Sequence, residues 1–312
     1  MWGRGPEKEE PRGALCTRPG PAMHLLFALL VLAVAATAVP VPQLGENGFT
    51  PPFNRLLRVT SPPMSGNDVV IAQNLLTRFN DALNVSTVYD AATADVVRAL
   101  QTAGGLAVDG ELGVETSTLL LNRYLADGYV DATTFPLPHG FKYIAVVPVH
   151  ANRSIETTAT LYAANGTVLH TFTTRTHGQD DPATGLQLNA LASNGATPTG
   201  LMTFDLNTPE PDPKDYGPYD VNRAPDGLKG NAAFILGGIR NGILLHTGEW
   251  DNWTPSQPMP NSHGCIHAHP ADIKFIAQVL QSIGVVAHEN PFGQRPYPFR
   301  PQGLLSVYVV PE

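Results

Sequence analysis

The sequence is poor in cysteine, in charge and in long apolar runs. It has 2 cysteines in 312 residues, which excludes a disulfide-rich secreted scaffold. Only 15% of its residues are charged and the net charge is −8, which disfavours binding to nucleic acid or to an anionic membrane surface. The apolar run at residues 25–34 is too short for a comfortable bilayer span. We therefore expect neither a nucleic-acid partner nor stable membrane insertion.

Residues 23–38 resemble a secretory signal peptide, because the apolar run leads into the small-x-small pattern Ala-Thr-Ala. An uncleaved anchor is the alternative, and translation from Met23 would account for the mixed-charge segment before it. Removal of residues 1–38 takes Cys16 away, so Cys265 is then the only cysteine. A single unpaired thiol in a secreted or cell-envelope protein points to a chemical role. Four sequons indicate glycosylation of such a chain: Asn84, Asn152, Asn165 and Asn252.

The most informative stretch is Ser262-His263-Gly264-Cys265. A thiol has a pKa of about 8.5, and a neighbouring imidazole lowers that pKa by holding the sulfur as a thiolate. The alternative is that Cys265 is a small core residue, which is the usual fate of a free cysteine. A short apolar strand ending at His246 favours the catalytic interpretation, since it brings a distant imidazole towards the thiol.

This order of segments resembles the L,D-transpeptidase (YkuD-type) family. A histidine at a strand end is followed by a loop and by Ser-His-Gly-Cys, and Thr-Pro-Thr-Gly at residues 197–200 resembles a further family segment. Two positions depart from the pattern. Thr247 stands where the family commonly has Gly, and His267 stands where it usually has Arg or Asn.

The resemblance implies that Cys265 is the nucleophile and that His246 accepts its proton. His263 then either orients the pair or binds the acyl donor. The Gly264 and Cys265 N–H groups are expected to stabilise the tetrahedral oxygen. The positions expected to form the oxyanion and substrate-binding region are Gly264, Ser262, Thr247 and His267. The implied substrate is a peptidoglycan stem peptide, with an amine acceptor giving a crosslink and water giving carboxypeptidase action, and no cofactor is expected.

Residues 64–127 are predicted to form a small three-helix domain. Helical spacing starts at Asn67 or Asp68 as N-cap and continues at residues 91–102 and 114–125. The turn at Asp109-Gly110 and the glycine before the last helix resemble a peptidoglycan-binding module; a helical spacer without a ligand is the alternative. The Pro-rich residues 39–63 are interpreted as an extended linker.

A connector at residues 128–139 precedes a mainly β catalytic domain at residues 140–312, a YkuD-like β-sandwich or open barrel with one packed helix. Asn165-Gly166 between alternating apolar runs predicts a hairpin. Further strands are predicted at residues 200–207, 232–236, 242–246, 285–288 and 304–310, and a helix at 271–283. Residues 209–225 are predicted to be a loop that forms a lid or a substrate wall.

Three alternatives to this interpretation remain open at this point. His263, Cys265, His267 and His269 alternate and could bind zinc if they formed one strand, although the glycine breaks the alternation. The departures from the family pattern leave room for a peptidoglycan-binding protein with an idle or divergent catalytic site. The chain could also be a secreted enzyme that acts on the wall of another organism.

Overall fold

A computed structural model describes residues 48–182, 185–236 and 239–310. The predicted signal peptide and the first part of the predicted linker lie outside the described residues. Within those ranges, no helix combines the length and the apolar character needed to cross a bilayer.

The three predicted helices are present, as α1 (Asn67–Thr77), α2 (Ala91–Gly104) and α3 (Val114–Leu125). The N-cap of α1 is Gly66 and not one of the two predicted residues, because the Asp68 carboxylate binds the Arg55 side chain at 2.6 Å. Helix α2 begins at an aspartate whose carboxylate accepts the Thr93 N–H.

The turn between α2 and α3 is held by one buried amide, that of Gln101. Its Oε1 accepts the Gly110 N–H at 2.9 Å, and its Nε2 lies 2.7 Å from Asp109 Oδ1 and 3.0 Å from Thr116 Oγ1 on α3. The Asp109-Gly110 turn therefore joins the last two helices, as the sequence predicts.

The second half of the predicted linker packs instead of extending freely. Phe49, Phe53 and Leu57 belong to the apolar core of the three helices, and Leu57 exchanges two backbone hydrogen bonds with Leu112. Burial of these side chains outweighs the extended tendency of the surrounding prolines. From residue 49 onwards this segment is part of the helical core.

Residues 143–309 contain a closed eight-stranded barrel, which confirms the mainly β prediction. The strands follow the order β1-β2-β3-β7-β6-β5-β4-β8 around the barrel. Their bounds are β1 Tyr143–Val149, β2 Thr157–Ala163, β3 Val168–Arg175, β4 Gly200–Asn207, β5 Val221–Ala224, β6 Ile243–His246, β7 Ile266–Ala268 and β8 Gly303–Val309. The predicted hairpin is β2–β3, which turns at Asn165-Gly166. The predicted packed helix is α6 (Pro270–Ser282), whose apolar face lies in the barrel core.

Three predictions outside the motifs were wrong. Residues 232–235 belong to a short helix, α5 (Gly230–Ile235), and residue 236 makes only an isolated bridge; a short apolar run does not distinguish a helix from a strand. Residues 285–288 form no strand and make only an isolated bridge at His288. The predicted loop at residues 209–225 contains both α4 (Pro213–Tyr216) and the barrel strand β5.

The helices and the barrel belong to one compact unit, Ala38–Glu312. Leu191 and Ile235 from the catalytic part complete the apolar core of the helices. Asp127, which follows α3, accepts hydrogen bonds from Thr199 Oγ1 at 2.8 Å and from Asn231 N at 2.9 Å. The helical domain is therefore packed on the barrel and is not joined to it by a connector alone.

Candidate active site

Strands β6 and β7 bring the two predicted catalytic residues to the same region of the barrel wall. The strands are parallel neighbours in which His246 pairs with His267, so Cys265 stands opposite Leu244. Leu245 and Ile266 point into the barrel core. Because side chains alternate along a strand, His246 and Cys265 project together from the other face of the sheet.

The sulfur of Cys265 accepts a hydrogen bond from the Leu244 N–H at 3.4 Å. This is its one hydrogen-bond partner among the described residues, so no described imidazole is hydrogen-bonded to the sulfur. Desolvation raises the pKa of the Cys265 thiol, and the Leu244 N–H and the charge of Arg240 offset the increase only in part. The sequence-based expectation that an imidazole lowers this pKa was therefore wrong for the resting site.

His246 is held as a neutral base with a defined tautomer. Its Nδ1 lies 2.6 Å from the carbonyl oxygen of Thr247, and because a carbonyl only accepts, Nδ1 carries the proton. Nε2 therefore keeps its lone pair. Burial lowers the pKa of His246 to about 4, so the ring is uncharged near neutral pH.

His267 on β7 pairs with His246 on β6, and its ring is held by contacts within the protein. Its Nδ1 donates to the Pro260 carbonyl at 2.9 Å, and its ring meets the edge of the His246 ring at a centroid distance of 4.7 Å. Burial lowers the pKa of His267 to about 3. The departure from the family pattern thus supplies a neutral ring that packs against His246, and its expected role in substrate binding stays a prediction.

Ser262 organises the turn before the cysteine. Its Oγ accepts the Gly264 N–H at 2.9 Å and lies 2.8 Å from the Cys265 carbonyl oxygen. Ser262 is buried, and its hydroxyl is engaged within the turn, so its expected contact with a substrate stays a prediction. Since the Gly264 N–H is already engaged, the Cys265 N–H is the remaining candidate for an oxyanion donor.

His263 and Thr247 have opposite environments. The His263 side chain is exposed and makes no hydrogen bond to any described residue, so it does not orient the cysteine–histidine pair in this structure. Thr247 is buried, and it acts through its carbonyl group on His246, while its methyl group packs against Gly217. A direct substrate contact of the Thr247 side chain is therefore not supported.

The Tyr216 ring, in the segment predicted to be a lid or substrate wall, lies 5.1 Å from the His246 ring. Sequence reasoning gave no role at the site to Trp250, whose ring lies 4.9 Å from the His267 ring, or to two arginines. Two buried arginines, Arg223 and Arg240, influence the thiol. An arginine inside an apolar run before β6 is the only sequence signal for Arg240, and that signal is weak.

The histidines near Cys265 do not converge on a common point. His263 is exposed, the His267 Nδ1 is engaged by a carbonyl, and His269 packs edge-on against Trp253 at 5.3 Å. In the described ranges no group of three His, Cys, Asp or Glu side chains could hold a metal ion. The placement of these residues thus gives no support to the zinc alternative.

Comparisons with known proteins agree with the two parts of the fold. Residues 65–120 match the family model of a putative peptidoglycan-binding domain, and residues 148–287 match that of an L,D-transpeptidase catalytic domain, YkuD. No curated protein matches the chain.

Two solved structures share low similarity with the chain. An L,D-transpeptidase from Stackebrandtia nassauensis is 14% identical, with 78% of this chain and 91% of that chain covered and a TM-score of 0.27. A fused Zn-dependent amidase/peptidase/peptidoglycan-binding domain-containing protein from Clostridium acetobutylicum is 15% identical, with 82% and 100% covered and a TM-score of 0.22. On the two family models, residues 148–287 belong to the L,D-transpeptidase (YkuD) catalytic-domain family, preceded at residues 65–120 by a peptidoglycan-binding domain.

Proposed function

We propose that this chain catalyses acyl transfer on peptidoglycan stem peptides, with Cys265 as the nucleophile and His246 as its base. An amine acceptor gives a crosslink between two stem peptides, and water as the acceptor gives L,D-carboxypeptidase action. The helical domain binds the same polymer and keeps the catalytic domain near its substrate. The family models support the substrate class.

The proposed mechanism depends on one observation, the tautomer of His246 on the strand next to Cys265. The Thr247 carbonyl fixes the proton on Nδ1, so Nε2 is the only ring nitrogen that can accept a proton. The ring and the thiol share one face of the barrel wall. Catalytic hydrogen bonds are often long or unformed without substrate, so a rotation of the Cys265 side chain on binding would complete the pair.

The reaction starts from a neutral thiol and a neutral imidazole. Nε2 takes the thiol proton as the sulfur attacks the peptide carbonyl carbon, which gives a tetrahedral intermediate. The C–N bond then breaks, and the proton passes from His246 to the leaving amine, which leaves a thioester on Cys265. The acceptor amine or water loses a proton to His246, attacks the thioester and restores the thiol.

Two further groups have proposed roles in this reaction. The Cys265 N–H is proposed to stabilise the negative oxygen of the intermediate, which is worth about 3–4 kcal/mol per donor in other enzymes. His263 is proposed to bind the acyl donor, because its exposed side chain is available to a substrate.

The proposal is tested with a synthetic stem tetrapeptide and with a carbapenem. The wild-type chain should gain the mass of an acyl group, whereas Cys265→Ala and His246→Ala should not. His139→Ala is the matched control, because this exposed histidine lies before β1 and away from the site. Acylation retained by folded Cys265→Ala would remove the assignment.

A peptidoglycan-binding protein with an idle site is the second candidate. It is favoured by the resting thiol, whose pKa is raised and whose sulfur binds a backbone N–H instead of an imidazole. Sedimentation of the chain with insoluble peptidoglycan, combined with no acylation by either reagent, would support this candidate. Acylation at Cys265 would exclude it.

We also propose that the mature chain is secreted or lies in the cell envelope, and that it is glycosylated. The support is the sequence of residues 23–38 and the exposure of all four sequon asparagines. Glycosidase treatment of the chain purified from its native medium should reduce its mass. Recovery of an unglycosylated chain with an intact N-terminus from the cell interior would contradict this proposal. Incubation with walls of different composition, followed by muropeptide analysis, would identify the wall on which it acts.

A further inference from the structure

Arg240 is a buried arginine at the entrance to β6, and only part of its guanidinium is hydrogen-bonded. Nη2 donates to the carbonyl oxygens of Ala192 and Gly195, both at 2.8 Å. Nε and Nη1 are buried and have no hydrogen-bond partner among the described residues. Unpaired buried donors are costly, so two on one side chain call for a physical explanation.

The free side of the guanidinium faces the turn that carries the thiol. Gly264 has a φ of 103°, and a Cβ at this position would collide with Arg240 Nη1 and with the Gly195 carbonyl oxygen. The arginine therefore occupies the space that the missing Cβ leaves open. Its Nη1 lies directly against the residue that precedes Cys265.

Among the described residues, no carboxylate balances the charge of Arg240. The other buried arginine near the site, Arg223, forms an ion pair with Glu210, and the effects of this pair on Cys265 have opposite signs. No described carboxylate forms an ion pair with Arg240. Burial lowers the pKa of Arg240 to about 10, and a negative charge on Cys265 would oppose that decrease. An unpaired buried cation is strongly unfavourable unless an anion forms beside it.

We propose that Arg240 is a positioning residue that holds the Gly264–Cys265 turn and supplies the fixed positive charge opposite the sulfur when the sulfur becomes anionic. The guanidinium is anchored by its Nη2 bonds, so it needs no reorganisation when the charge develops. This inference rests on the proposed role of Cys265 and adds the residue that stabilises its anionic form.

Other groups lie near the thiol. Arg223 and Glu210 act on it as a pair, the charge of Cys265 acts on Tyr216 from α4, and His246 and His267 lie on the adjacent strands β6 and β7. Burial keeps both histidines neutral near pH 7, and desolvation together with Cys265 raises the pKa of Tyr216. Arg240 is therefore the one cation in this set without a paired carboxylate.

The test measures the rate at which iodoacetamide alkylates Cys265, as a function of pH, in the full chain. An opposite charge close to a thiol typically shifts its pKa by about 1–3 units. Arg240→Gln should therefore raise the apparent thiol pKa by about one unit or more and slow alkylation about tenfold at a fixed lower pH. Arg240→Lys keeps the positive charge, so its apparent thiol pKa should stay within about half a unit of the wild-type value.

Arg153→Gln is the matched control. Arg153 is also buried in the barrel and donates to the Thr197 carbonyl, but its charge is not among the groups that act on the thiol. This variant should leave the pH profile of alkylation unchanged. Thermal melts and near-UV circular dichroism establish that each variant is folded.

Two results would overturn the proposal. One is folded Arg240→Gln with the wild-type profile. The other is Arg240→Lys with a shift as large as that of Arg240→Gln, which indicates a structural role only. If Arg240→Gln does not fold, Arg240→Lys provides the test. A wild-type pH profile of alkylation in this variant supports the proposal, and a rise of about one unit in the apparent thiol pKa contradicts it. Because alkylation needs no peptidoglycan, a pKa shift without any stem-peptide acylation would refute the proposed function alone.

Discussion

The buried pair His246 and His267 should make the fold sensitive to mild acid. Both rings are neutral in the folded state, with pKa values of about 4 and about 3, whereas an unfolded histidine has a pKa of about 6.5. Between these values the unfolded chain binds more protons than the folded one. The free energy of unfolding therefore falls as the pH decreases below about 6.5.

The magnitude follows from the difference between the folded and unfolded pKa values. At about pH 5 an unfolded histidine is almost fully protonated, while each folded ring is almost fully neutral. Each histidine then lowers the free energy of unfolding by about 2 kcal/mol relative to about pH 7. Together they remove about 4 kcal/mol, which is a large share of a typical stability of about 5–15 kcal/mol.

The assay is urea unfolding at several pH values between about 5 and about 7, with His267→Gln compared to wild type. The variant is less stable near pH 7, because its side chain replaces a packed ring. Between about pH 7 and about pH 5, the free energy of unfolding of the variant should nevertheless fall less than that of wild type, by a difference of about 2 kcal/mol. His139→Gln, at an exposed position, should follow wild type. Equal pH dependence in His267→Gln and wild type would refute the claim that His267 is buried as a neutral ring.

Three further predictions test other parts of the structure. Gly264→Ala should destabilise the fold by about 2 kcal/mol or more in urea unfolding, because φ is 103° and a Cβ meets Arg240; a change below about 0.5 kcal/mol would contradict that geometry. Ser262→Ala should lower the free energy of unfolding by about 1–3 kcal/mol, because it leaves the Gly264 N–H without its acceptor, and it should slow acylation. A variant with the stability and the acylation rate of wild type would show that the turn forms without this bond. Phe53→Ala should lower the free energy of unfolding by about 3–5 kcal/mol in thermal unfolding, because Phe53 is part of the helical core. An unchanged stability would show that this segment is a free linker.

Local patterns in the sequence predicted the helices, the hairpin and the order of the catalytic segments. The turn at Asn165-Gly166 and the helical spacing in α1 to α3 depend on neighbouring residues, so they are visible without tertiary contacts. The strand that ends at His246 and the cysteine motif were also identified from sequence, and the register of β6 and β7 brings them together.

The errors have a common physical origin in long-range contacts. The segment at residues 232–235 is helical, and its Ile235 packs into the core of the N-terminal helices, more than a hundred residues away in sequence. Phe53 is buried for the same reason. At the site, the Ser262 hydroxyl captures the Gly264 N–H, and the cation beside the thiol comes from Arg240, about 25 residues upstream. No periodicity or spacing encodes these contacts.

The central claim is that the sulfur of Cys265 becomes acylated by the substrate. Peptide mapping by mass spectrometry, after brief incubation of the wild-type chain with a stem tetrapeptide and acid quenching, tests it most directly. The account predicts a thioester confined to the peptide that contains Cys265, and loss of that adduct in His246→Ala. An unmodified Cys265 in a preparation that still converts the substrate would contradict the account.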